Sequence, residues 1–148
     1  MKQTFYDSPL GRLIIREEEG VITEIGFSEE GIVAEDTPLL SEAKKQLDEY
    51  FRKKRKVFDL LLQAEGTEFQ SSVWEEMLKI PYGGTATYGE IAERIKSGCA
   101  RSVGQACNRN PIAIVIPCHR VVGKAGKLVG YAGGLDKKDA LLKLESDE

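Results

Sequence analysis

The first 27 residues most constrain what this chain can fold into. MKQTFYDSPLGRLIIREEEGVITEIGF sets apolar, β-branched runs between two turn signals, Ser8-Pro9-Leu10-Gly11 and Glu19-Gly20. Strand-forming runs punctuated in this way predict an antiparallel meander. Residues 28–38 are acidic and end at Pro38, which predicts a loop. Residues 41–54, SEAKKQLDEYFRKK, predict a helix. Ser41 would be its N-cap, Ala43, Leu47, Tyr50 and Phe51 its apolar stripe, and basic residues would fill its last turn. VFDLLL (57–62) predicts a short strand, and QAEG (63–66) a linker.

The pattern then changes to mostly helical. Thr67 and Gln70 form a capping box, followed by a stripe of Phe69, Val73, Trp74 and Met77. PYGGTAT (81–87) is a loop. Thr87 and Glu90 form a second capping box, with Ile91, Ala92 and Ile95 on the inner face of a helix ending near Ser97-Gly98. A short helix follows from about Ala100 to Asn108, and Pro111 forbids its continuation. IAIVI (112–116) predicts a strand and KAGK (124–127) a turn. LDKKDALLKLE (135–145) predicts a last helix with Asp136 as N-cap. The expected organisation is a small α/β domain at 1–65 and a mostly helical domain at 66–148.

Composition limits the function classes. The 148 residues are 41% apolar and 30% charged, ordinary for a globular protein with its own core. No apolar run reaches membrane-spanning length, and the start lacks a signal-peptide core, so the expected compartment is the cytoplasm. Three cysteines, Cys99, Cys107 and Cys118, are too few for a disulfide framework and suit a reducing environment. The net charge of −3 hides an asymmetry. Residues 88–131 carry Arg94, Lys96, Arg101, Arg109, Arg120, Lys124 and Lys127 against Glu90 and Glu93, a net of +5. A local positive field of this kind suits a polyanion.

The helices at 88–96 and 100–108 have the proportions of a helix-turn-helix. The second keeps Val103 and Cys107 inward and turns Arg101, Ser102, Gln105, Asn108 and Arg109 outward. Ala100, Gly104 and Ala106 keep it thin. A thin, cationic helix can lie close to a nucleic-acid backbone. An ordinary amphipathic hairpin explains the same pairing, and only the local charge favours the nucleic acid.

IPCHRVVG (116–123) sets Cys118 beside His119, the one histidine. A cysteine attacks as its thiolate, and an imidazole can take its proton. Pro117 would interrupt the strand and fix the turn carrying the pair. For an isolated Cys-His dipeptide, a buried thiol and a structural ring are the commoner explanation. The cysteines and histidine lack metal-ligand spacing, so no zinc cage is evident. A third group would have to orient His119. Glu145 and Glu90 are both candidates on the residues alone.

NPIAIVIPCHRVVG (110–123) resembles the active-site segment of the O6-alkylguanine-DNA alkyltransferases, whose hallmark Pro-Cys-His-Arg stands here as Pro117-Cys118-His119-Arg120. TATYGEIA (85–92), ARSVGQACNRNP (100–111) and GYAGGLDKKDALLKLE (130–145) match further family blocks in order and spacing, so the resemblance covers essentially the whole chain. It implies a ribonuclease-H-like α/β N-terminal domain and a mostly α C-terminal domain with a winged helix-turn-helix. The second helix would enter the minor groove of double-stranded DNA containing O6-alkylguanine. Arg101 would replace the extruded guanine, with Ala100, Ser102, Gln105, Arg109 and Arg120 also at the DNA. Tyr88 would press the flanking phosphate and donate a hydrogen bond to the base. Asn110 would brace the turn. His119 would deprotonate Cys118 through a water, and Glu145 would orient His119. The pocket would be lined by Tyr131, Ala132, Gly133, Pro117 and Trp74.

The implied chemistry is one irreversible transfer of the alkyl group to Cys118, extending to O4-alkylthymine, by a monomer needing neither cofactor nor metal. Ala132 stands where many relatives have a serine, which removes one side-chain hydrogen bond. Two other classes compete. A lesion-binding relative of the same scaffold would lack the acceptor cysteine, which is present here. A cysteine hydrolase would need an oxyanion hole, and no Gly-rich nucleophile elbow precedes Cys118.

Overall fold

A computed structural model describes residues 1–146. The chain divides into two compact units, one of residues 1–64 with 111–113, the other of residues 65–110 and 114 onward. The expected division lies after residue 65; by contacts the first unit runs to residue 64 and also takes in Pro111–Ala113.

In the first unit, β1 (Lys2–Ser8), β2 (Gly11–Glu18) and β3 (Val21–Phe27) form an antiparallel sheet in sequence order. Leu10 N and Gly11 O both bond the Ser8 hydroxyl and so close the first turn. Glu19 and Gly20 both hold positive φ, 49° and 82°, the left-handed pair a two-residue hairpin needs. Leu13, Ile15, Ile22 and Ile25 are at most 1% exposed. Helix α1 (Pro38–Phe51) supplies Leu40, Ala43, Leu47 and Tyr50 at helical spacing as its buried stripe. Its N-cap is Thr37 rather than the expected Ser41. The Thr37 hydroxyl accepts from Leu40 N, and Pro38 takes the first helical position, where its missing N–H costs nothing.

Two expected strands are reduced to single bridges. At 57–62, Leu62 alone bridges Ile22, because Gln46, 2% exposed, captures both the N–H and the C=O of Asp59. At 112–116, Ile25 bonds Pro111 O and Ala113 N, and Ile114 then turns away with φ 72°. A β-branched residue at positive φ is strained and persists only where its surroundings hold it. Ile114 is 1% exposed.

In the second unit, α2 (Glu68–Met77) and α3 (Tyr88–Ile95) begin with the two capping boxes, at Thr67 and Thr87. Helix α4 (Ala100–Asn108) follows a turn through Lys96 and Gly98, both left-handed. Strands β4 (Ala86–Thr87) and β5 (Val121–Val122) pair in parallel. Helix α5 spans Leu135–Ser146. Asp136 is not its cap: Lys138 N already bonds Gly134 O, so Asp136 lies inside the first turn, where a carboxylate complements the helix dipole. Val73, Met77, Ile91, Val103 and Leu141 are fully buried in this unit's core.

The turn before α4 leaves no room for a side chain. A Cβ on Gly98 would lie 2.5 Å from Ser102 Oγ and 2.8 Å from the Phe69 ring, at φ +72°. Gly126 has φ +78° but open space around it. Urea unfolding should therefore show Gly98→Ala destabilising the chain by about 2–3 kcal/mol and Gly126→Ala by about 1 kcal/mol. Equal losses would show that the contact adds nothing to the backbone penalty.

Candidate active site

The sequence from Asn110 to Arg120 builds the site by ending a helix and starting a tight turn. Asn110 Nδ2 donates to Ile116 O at 2.8 Å and so ties the end of α4 to the approach to Cys118. Pro117 ends the extended segment, and Cys118–Arg120 form one turn of 3-10 helix, with Arg120 N bonding Pro117 O. Cys118, His119 and Arg120 are all buried.

Glu145, near the end of α5, gathers this turn. Its Oε2 accepts from His119 Nε2 at 2.7 Å and from Arg120 Nη2 at 3.0 Å. Its Oε1 accepts from Arg120 Nε at 2.8 Å and from Gly83 N at 3.4 Å. Arg120 Nη1 also donates to Ile80 O at 2.7 Å. A bidentate guanidinium balances the buried carboxylate, so His119 need not be charged to do so. Burial pushes the His119 pKa below its ordinary value, against the opposing pull of Glu145. That direction favours a neutral ring, its Nε2–H donating to Glu145. His119 Nδ1 is buried with no protein partner among the described residues.

Cys118 is a protonated thiol in this resting arrangement. Burial pushes its pKa up, while a hydrogen bond from Asn110 and the charge of Lys138 pull the other way. Charge on Cys118 would be felt by Tyr88, Cys107, Tyr131 and Lys138, the groups clustered around it. Burial likewise raises Tyr88 and Tyr131, so both phenols are neutral donors. The Tyr131 hydroxyl is buried without a partner among the described residues.

Lys138 is the residue that sequence reasoning missed. It is 0% exposed, and Nζ donates to Tyr88 OH at 3.0 Å, Val129 O at 3.0 Å and Gly130 O at 3.1 Å. Tyr88 OH in turn donates to Val129 O at 2.7 Å. The lysine thus fixes Tyr88 and the Val129–Gly130 backbone beside Tyr131. A signal was present in the sequence: Lys138, Leu141 and Glu145 lie at one helical spacing, and they are the buried residues of α5.

One expected role needs correction. Arg120 was expected at the DNA, but its guanidinium is buried and clamped on Glu145 and Ile80. Trp74, expected in the pocket, is 3% exposed, and its Nε1 donates to Ala106 O on the inner side of α4. Ser102 lies on α4 as expected, yet its hydroxyl bonds the N–H and C=O of Cys99 at the start of its own helix. Ala100, Arg101, Gln105 and Arg109 are exposed along α4, and Ala132 is exposed beside Tyr131 and Gly133. Glu90 caps α3 and does not meet His119, so the choice between the two carboxylates falls on Glu145. A cleft of about 200 Å³ borders Glu145, lined also by Gly83, Thr85, Val122 and Leu142, and Cys118 does not line it. Among the described residues no three His, Cys, Asp or Glu side chains could hold a metal ion, and no helix is long and apolar enough to cross a membrane.

Comparison with known proteins finds relatives of both units. The ribonuclease-like domain of 6-O-methylguanine DNA methyltransferase matches residues 1–64, and the DNA binding domain of the same family matches residues 68–147. A methylated-DNA–protein-cysteine methyltransferase of Methanosarcina acetivorans is 46% identical over 153 residues, covering 98% of each chain. The crystal structure of Mycobacterium tuberculosis O6-methylguanine methyltransferase superposes with a TM-score of 0.89 at 43% identity, covering 98% of this chain and 92% of that one. The Mycobacterium tuberculosis OGT in complex with DNA gives 0.90 at 44% identity, over 99% and 93%. With both units matched and relatives this similar over nearly its whole length, the chain belongs to the 6-O-methylguanine DNA methyltransferase family.

Proposed function

We propose that this chain repairs DNA by direct reversal, Cys118 Sγ taking the methyl group from O6 of O6-methylguanine. The observation that carries this reading is His119 next to Cys118 in the buried turn, with Nε2 2.7 Å from Glu145 Oε2 and Nδ1 buried without a partner among the described residues. Through a bridging water, Nδ1 takes the thiol proton as a general base. Glu145 stabilises the imidazolium that forms, against the opposing charge of Arg120. The thiolate attacks the methyl carbon; the sulfur–carbon bond forms as the carbon–oxygen bond breaks, and the electron pair leaves with guanine. Guanine regains one proton, so thiol and O6-methylguanine become thioether and guanine. Imidazole cannot reverse a thioether, so each chain acts once and needs no cofactor. Since each chain carries its own acceptor, a monomer suffices.

The base must leave the stack to reach a buried sulfur. Helix α4 suits entry to the minor groove, because Ala100 and Gly104 are small and Arg101, Gln105 and Arg109 are exposed along it. Arg101 would fill the gap in the stack. Tyr88, a neutral phenol steadied by Lys138, would exchange its bond to Val129 O for one to the flipped base. A pocket reading the alkylated oxygen through backbone N–H groups near Ala132 and Gly133 would also admit O4-alkylthymine.

Duplex DNA carrying one O6-methylguanine should leave one methyl group per chain, on Cys118, by peptide mass spectrometry. Cys99 makes the test selective: it is exposed, and hydrogen bonds from Ser102 lower its thiol pKa. Methylation of Cys99 instead, or repeated turnover, would contradict the reading. Arg101→Ala should slow transfer from duplex DNA by about tenfold or more, the scale of a lost unstacking contribution, and leave transfer from the free O6-methylguanine base unchanged. Equal slowing of both would count against base extrusion.

A further inference from the structure

The first unit holds a second concentration of positive charge that the chemistry at Cys118 does not use. Half of the ten cations in residues 1–64 are consecutive: Arg52, Lys53, Lys54, Arg55 and Lys56. The rest of the unit is acidic, so the charge is segregated rather than spread for solubility. The two arginines make local ion pairs. Arg52 Nε donates to Asp48 at 2.9 Å, and Arg55 donates to Glu49 and to Val57 O, both at 2.9 Å. Residues 48–56 still carry a net charge of +3, because two carboxylates face five cations in the sequence. Lys53, Lys54 and Lys56 are exposed.

The turn is also ordered. Lys53 N bonds Tyr50 O and Lys54 N bonds Glu49 O, closing α1 in the manner of a left-handed helix end. Lys53 takes that left-handed position with φ 62°, where glycine would be unstrained. The backbone is anchored on both sides by rings: Tyr50 lies 5.2 Å from Phe51 and 5.4 Å from Phe58, and Phe51 stacks on Tyr6 at 6.2 Å. Exposed lysines on an ordered turn suit a repeating phosphate backbone, which needs point charges rather than base-reading geometry. The whole chain is net negative, so its attraction to a polyanion must come from local patches such as this one.

We propose that the turn Arg52–Lys56 is a second, sequence-independent contact for DNA phosphates, separate from α4. This rests on the repair reading above, which supplies duplex DNA as the partner. The test compares wild type with Lys53→Gln/Lys54→Gln/Lys56→Gln, and with Lys2→Gln/Lys44→Gln/Lys45→Gln as a charge-matched control. Binding to a duplex containing O6-methylguanine is measured over a series of salt concentrations. The turn variant should shallow the slope of log K against log salt by about two, with an affinity loss of about tenfold or more at low salt. Lys54→Gln/Lys56→Gln, which spares the left-handed position, should give a smaller loss of the same kind, and Lys→Arg at all three positions should restore the wild-type slope. Transfer from free O6-methylguanine should stay at the wild-type rate throughout. An unchanged slope, or an equal drop in the control, overturns the proposal. Failure of the wild type to take methyl from DNA would instead sink the repair reading, whatever the slopes.

Discussion

The Glu145 carboxylate is the constraint on which the rest of the site depends. It is 6% exposed and would be costly as a lone buried charge. Arg120 supplies its counter-charge in a bidentate pair, while His119 supplies one further N–H. Losing one partner of such a pair typically costs about 3–5 kcal/mol. The division of labour has a chemical consequence. Because Arg120 carries the positive charge, the imidazole can stay neutral and keep a lone pair for proton transfer.

Backbone geometry delivers Cys118 to that network. After α4 the chain pairs with Ile25 through Pro111 and Ala113, turns at the strained Ile114 and enters the 3-10 turn at Cys118. Asn110 ties the start of this path to Ile116 near its end and also hydrogen-bonds the Cys118 thiol. One side chain therefore links the exposed helix carrying Arg101 to the buried sulfur. On the other side, Lys138 and Glu145, seven residues apart on α5, hold Tyr88 and His119 respectively.

Much of this was legible in the residues, for identifiable reasons. The meander announces itself through turn residues at Ser8–Gly11 and Glu19–Gly20, and α2 and α3 through capping boxes that are local in sequence. What failed depended on partners distant in sequence. IAIVI has strand composition, but only Ile112 finds a strand partner, and Ile114 breaks the run. Thr37 displaced Ser41 as cap because Pro38 can begin a helix as readily as end a loop. Arg120 looked like one more DNA-facing cation until Glu145, 25 residues away, took it inside. The burial of Lys138 likewise depends on Tyr88, 50 residues away. A charge in sequence carries no mark of burial unless its helical spacing to Leu141 and Glu145 is read as a face.

The central claim is that His119 rests neutral, with its proton on Nε2 toward Glu145 and its lone pair on Nδ1. His119 is the one histidine in the chain, so its nitrogen signals are unambiguous. Nitrogen-15 NMR of the imidazole across pH 5–8 measures the tautomer and the protonation state directly. The account predicts a neutral ring at pH 7, Nε2 protonated and Nδ1 bare, titrating only below the ordinary imidazole value of about 6.5. An imidazolium at pH 7, or a neutral ring with the proton on Nδ1, would contradict it.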